Sequence, residues 1–209
     1  MARPKAAGSA SRARILRAAA AEFAARGYAG ANVDRIARTA RLNKAMIYYH
    51  FAGKAALYRE ILNDMFGAVG ARVTEVAESD ATPQDKIRRY VAAIAGEAEA
   101  RPHFPPIWLR EIAEGGQHID QATIDRVRGV LGALGRILEE GHRAGRFQRV
   151  NPLIFQGGII APLMFFFATA RLRGRLARGG ATGAADIPSG EIIAHIQQLA
   201  LAQLEGKLA

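Results

Sequence analysis

The chain has 209 residues, half of them hydrophobic, a formal net charge of +10 and no cysteine. That length holds one or two small domains with a real core, and the apolar content excludes wholesale disorder. Without cysteine there are no disulfides, thiolate metal sites or cysteine nucleophiles, which fits a reducing compartment. The first 20 residues lack the apolar stretch of a signal peptide, so a cytoplasmic location is expected. The charge is unevenly placed: residues 1–60 carry 12 Lys/Arg against 3 Asp/Glu, a net of +9, and the remainder nets +1. A cationic segment of this kind suits a polyanion such as nucleic acid.

Residues 1–10 read as a basic flexible arm. A first helix is expected over 11–26, with Ile15, Leu16, Ala19 and Phe23 inward, ended by Gly27. Tyr28 then plugs a small core, and Arg12 and Arg14 stand near the helix start, within reach of a phosphate backbone. Asn32 is an N-cap for a short helix whose stripe is Val33, Ile36, Ala37 and Ala40. Arg41-Leu42 makes a tight turn, and Asn43 caps a second short helix, 44–50. Ile47 and Phe51 anchor that helix inward. Lys44, Ala45, Met46, Tyr49 and His50 are left facing largely outward, small and hydrogen-bonding groups of a kind that fits a DNA major groove. Gly53-Lys54 opens a longer helix to about residue 77, whose free amides with Lys54 suit one phosphate oxygen.

The run K-A-M-I-Y-Y-H-F, placed after V-D-R-I-A and followed by G-K and an amphipathic helix, resembles the N-terminal domain of TetR-family transcriptional regulators over about residues 11–62. Arg41 stands where that family usually has a turn glycine, and Asn32 where it usually has threonine. The resemblance implies a homodimer on palindromic double-stranded DNA, most simply as a repressor, released by a small apolar effector bound in a second domain. It implies that Lys44, Ala45, Met46 and Tyr49 face base edges, while Tyr48, His50 and Lys54 hold phosphates. Asn32 and Val33 at the start of the preceding helix, with Arg12, complete the expected DNA-binding set.

A break at Ser79–Pro83 precedes a helix over 84–100 with Ile87, Tyr90, Val91 and Ile94 inward. Three prolines in residues 101–106 predict a turn, then a short helix over 107–114 bearing Trp108. Helices are expected over 119–144, 151–176 and 190–208, the last capped by Ser189, with a Gly/Ala-rich loop over 179–188. No strand or internal repeat is evident, so the fold class is all-α: an arm (1–10), a three-helix helix-turn-helix domain (11–62), and a helical regulatory and dimerisation domain (63–209). Tyr90, Phe104, Trp108, Phe155 and Met164 are the candidate ligand-pocket residues of the latter.

Residues 152–170 carry no charge and approach the length of a membrane span. Gln156, Gly157, Gly158 and Pro162 interrupt them, and a helix apolar all round equally suits burial. In the resembled family the last two long helices pair with their copies, which predicts one face in the core and another in the dimer, with no membrane partner. A membrane-anchored protein, or a nonspecific nucleic-acid binder, is the alternative reading. No catalytic motif is present. Glu139 and His142 have i, i+3 spacing, but one such pair does not make a di-iron bundle, so neither enzyme activity, metal nor cofactor is expected.

Overall fold

In the computed structural model, which describes residues 4–179 and 187–207, the chain forms ten helices and, among the described residues, no strand. They are α1 (Pro4–Gly30), α2 (Val33–Ala40), α3 (Lys44–His50), α4 (Lys54–Glu78), α5 (Pro83–Ala100), α6 (Phe104–Ala113), α7 (Gln121–Arg143), α8 (Pro152–Ala168), α9 (Ala170–Arg178) and α10 (Ser189–Leu204). They divide into two compact units. The first comprises the chain to Met65 together with Pro106–Ile124, and the second Phe66–Pro105 with the chain from Asp125 onward.

The first unit closes over Ile15, Phe23, Ile36, Ile47, Leu57 and Leu62, all fully buried. Helix α1 starts at Pro4, so residues 4–10 are helical where an arm was expected. Proline suits a first helical position, and the alanines that follow are strong helix formers. Gly27, at φ 69° and ψ 178°, breaks the regular helix where a stop was expected, and a last turn runs on to Gly30. Three cations then converge on the carbonyls around this helix end, where the helix dipole is negative. Arg110 donates to Phe23 and Ala25, Arg35 to Gly30, and Lys54 to Ala29 and Ala31.

In the second unit, Ile87, Tyr90, Val91 and Ile94 of α5 are buried together with Leu134 and Ile137 of α7 and Phe155, Leu163 and Met164 of α8. Three expectations are corrected here and at α6. Helix α6 starts at Phe104, inside the expected turn, because Pro105 and Pro106 occupy its first turn, where amides lack helical partners anyway. The helix expected over 151–176 is two, bent by 52° at Thr169, where Arg173 reaches back to Phe166 O and Thr169 Oγ1. Helix α10 starts after Pro188 and ends at Leu204; Ser189 bonds the Glu99 carboxylate instead of capping. Most of the expected 179–188 loop lies outside the described residues.

Among the described residues no single helix is long and apolar enough to cross a membrane. Helix α8 instead has two apolar faces. Phe155, Ile159, Leu163 and Met164 enter the core, while Leu153, Ile154 and Phe165 are 67%, 71% and 66% exposed.

Candidate nucleic-acid interface

Helices α2 and α3 are fixed locally, by their own caps. The Asn32 side chain accepts from the Asp34 amide at 2.7 Å and the Asn43 side chain from Met46 at 2.9 Å. Between them Arg41 takes the left-handed conformation, φ 53° and ψ 47°, the only non-glycine to do so among the described residues. Its amide and that of Leu42 close the end of α2 on the Arg38 and Ala37 carbonyls. Arg14 of α1 holds the turn by donating to the Ala40 and Arg41 carbonyls. The turn that glycine would make easily is thus made by arginine with outside support.

Helix α3 buries Ile47 and leaves Lys44, Ala45, Tyr48 and Tyr49 exposed, Tyr49 by 79%. Met46 and Val33 are half-buried and Asn32 is exposed. Lys44 bonds Asp34 at 3.1 Å, linking α3 to α2, and that partner raises its pKa.

Several of the expected phosphate-binding cations and donors have internal partners. Arg12 pairs with Glu60 at 2.5 Å and lies over the Phe51 ring. Lys54 clasps the end of α1 and lies 4.6 Å from the centre of the Tyr28 ring. His50 Nε2 lies 2.7 Å from Ser11 Oγ. Because that hydroxyl donates to the Gly8 carbonyl, the imidazole is the donor of the pair. Sequence reasoning missed these pairings, since the partners lie 23 to 48 residues away. Arg17, Arg38 and Arg41 make no side-chain hydrogen bond or ion pair among the described residues. Arg17 and Arg41 face a groove of about 590 Å³ with Arg14 and Thr39.

Of the expected ligand-pocket residues, Tyr90, Phe104, Phe155 and Met164 are all buried in the second unit. The Tyr90 hydroxyl donates to Gln156 Oε1 at 2.8 Å, and burial pushes its pKa up. Phe104 packs edge-on to Phe66. Trp108 belongs to the first unit. Glu139 pairs with Arg143, and the His142 ring faces the Phe147 carbonyl.

The family profile for "Bacterial regulatory proteins, tetR family" matches residues 15–61, the segment that carries these capped helices. That segment is similar to the DNA-binding domain of the TetR family. It is 27% identical over 159 residues to the HTH-type transcriptional repressor NicS of Pseudomonas putida, covering 75% of each chain. It is 51% identical over 107 residues to the HTH-type transcriptional repressor SCO4008 of Streptomyces coelicolor, spanning about half of each (51% and 52%). Its fold is similar to that of the TetR-family regulator PfmR from Thermus thermophilus, with TM-score 0.71, 23% identity, and 92% and 99% of the two chains covered. FadR of Bacillus subtilis, solved with stearoyl-CoA, superposes with TM-score 0.71 at 17% identity over 91% and 98%. Both curated relatives are named as transcriptional repressors, and the solved structures share this all-helical fold.

Proposed function

We propose that the chain is a repressor whose residues 11–62 read a palindromic operator, and whose residues 63–209 dimerise and bind an apolar effector that releases the DNA. The observation that carries this reading is the exposed face of α3, held out by two side-chain caps and the buried Ile47. Lys44, Ala45, Met46 and Tyr49 read base edges. Tyr48, His50 and Lys54, with Asn32, Val33 and Arg12, fix the backbone, the cations exchanging internal partners for phosphates. Two-fold symmetry sets the recognition helices one turn of DNA apart, about 34–36 Å.

The outward face of α8, with α10, is the dimer surface, since so large an apolar patch on a lone subunit is otherwise unexplained. The buried aromatic set Tyr90, Phe104 and Phe155 with Met164 favours an apolar effector, and stearoyl-CoA in the FadR structure is a ligand with a long apolar chain. Such a ligand shifts operator affinity by a coupling of about 1–3 kcal/mol. The protein acts in the cytoplasm and is not an enzyme.

The test is a titration of Ala45 and Met46 variants against operator and scrambled duplexes over a salt series. Loss of a base contact costs about 1–3 kcal/mol on operator alone, whereas a lost phosphate contact weakens both duplexes and lowers the salt slope by about 0.9. Unchanged sequence preference in the Ala45 and Met46 variants refutes the base-reading assignment. A specificity ratio near one for the wild type supports a nonspecific binder instead.

A further inference from the structure

The end of α6 and the turn after it gather a group of side chains that the DNA-binding role does not use. Gly115 and Gly116, both at φ 75°, reverse the chain so that His118 returns over Glu111 and Glu114. The three offer one donor atom each, all within 4.8 Å of one another. His118 Nδ1 lies 3.2 Å from Glu111 Oε2 and 3.6 Å from Glu114 Oε2. The longer distance is not a hydrogen bond, and one ring N–H does not serve both oxygens well. A tetrahedral ion with bonds of about 2.0–2.2 Å to imidazole nitrogen and carboxylate oxygen sets neighbouring donors about 3.3–3.6 Å apart. Both observed separations lie close to that edge length.

The surroundings suit a ligand set. Glu111 is 1% exposed, and both of its oxygens are held by hydrogen bonds. Oε1 accepts the His118 amide at 2.8 Å, and Oε2 accepts the Tyr58 hydroxyl at 2.7 Å. Hydrogen bonds of this kind to a ligating carboxylate fix its direction and raise metal affinity. The imidazole is held by the Tyr28 ring at 4.0 Å and the Tyr58 ring at 5.7 Å. Gln117, hydrogen-bonded to Glu114, and a cavity of about 290 Å³ beside His118 leave room for a fourth, oxygen donor.

We propose that Glu111, Glu114 and His118 form a tetrahedral site for a divalent transition-metal ion of the Zn²⁺ class. The donor set, one imidazole and two carboxylates without thiolate, suits Zn²⁺ or Co²⁺ over Ca²⁺ or Mg²⁺, which favour all-oxygen shells of six or more ligands. The bound ion ties the turn after α6 back onto α6, and Tyr58 of α4 steadies the ligating Glu111 within the first unit.

The test uses the full, tag-free chain, with Zn²⁺ followed by calorimetry and Co²⁺ by visible absorption. The expected result is one ion per chain with the intense spectrum of tetrahedral cobalt. Glu114→Gln and His118→Ala each weaken binding at least tenfold, and Tyr58→Phe weakens it 10- to 100-fold. Glu114 is exposed, so its variant keeps the fold and reports on the site even where His118→Ala does not fold. Absence of stoichiometric binding at micromolar protein, the weak spectrum of octahedral cobalt, or undiminished affinity in Glu114→Gln overturns the proposal.

Discussion

Replacing Arg41 with glycine is expected to stabilise the protein. A left-handed conformation costs a residue with a Cβ about 1–2 kcal/mol, and Arg41 sits there at φ 53° and ψ 47°. Glycine removes that cost but gives back about 0.5–1 kcal/mol through the greater freedom of the unfolded chain. The supports of the turn survive, because Arg14 donates to backbone carbonyls and the cap bonds come from backbone amides. The net gain is therefore about 0.5–1 kcal/mol, or about 2–4 °C in melting temperature per kcal/mol for a chain this long. Removing the arginine also relieves repulsion with Arg14 and Arg17 in the groove they share. Arg41→Ala relieves it equally while keeping the backbone cost, so the difference between the glycine and alanine variants, about 1 kcal/mol, isolates the backbone. Urea unfolding of wild type and both variants, without DNA and at one fixed protomer concentration, measures it. Equal stability of the two variants, or a glycine variant below wild type, refutes the reasoning.

Lys54→Ala should lower stability in the absence of DNA by about 1 kcal/mol, because the α1 carbonyls lose a charged donor that is partly solvent-screened; a purely DNA-contacting lysine leaves the urea midpoint unchanged. Gly141→Ala should cost about 1–3 kcal/mol by overpacking, since its Cβ falls inside the buried Phe147 ring, and thermal unfolding reads this directly. Burial pushes the Asp120 carboxyl up, but hydrogen bonds from the Thr123 amide and hydroxyl, with Arg59 nearby, hold it below the usual carboxylate range. A depressed folded-state value contributes stability above the ordinary carboxylate pKa that is lost as pH falls through the folded value. The urea midpoint of the wild type should therefore fall more steeply under acid than that of Asp120→Asn, and parallel curves refute the assignment.

What the sequence made legible was local. Asn32 and Asn43 cap within three residues of themselves, and the stripe Ile36–Ala37–Ala40 repeats within one helix, so α2 and α3 were found with their bounds. The partners of Arg12, His50 and Lys54 lie far along the chain, and nothing in the spacing of those residues announces an ion pair or a capped carbonyl. The break at Thr169 was hidden for a different reason: the apolar run continues through it, and the bend rests on an arginine reaching back to carbonyls already passed. The Glu111–His118 grouping depends on two consecutive glycines at positive φ, a geometry that the letters Gly-Gly permit without requiring.

Trp108 stands on α6 in the same compact unit as the capped α2–α3 pair, partly exposed. It is the single tryptophan of the chain. Indole emission therefore issues from one place, and its wavelength and quenching report the polarity around one ring instead of an average over several. Dissolved operator duplex absorbs little where indole alone is excited, so an unlabelled titration with DNA reads the state of the first unit directly. A spectral change on adding effector then measures how strongly that unit feels the ligand, with the intact protein serving as its own probe.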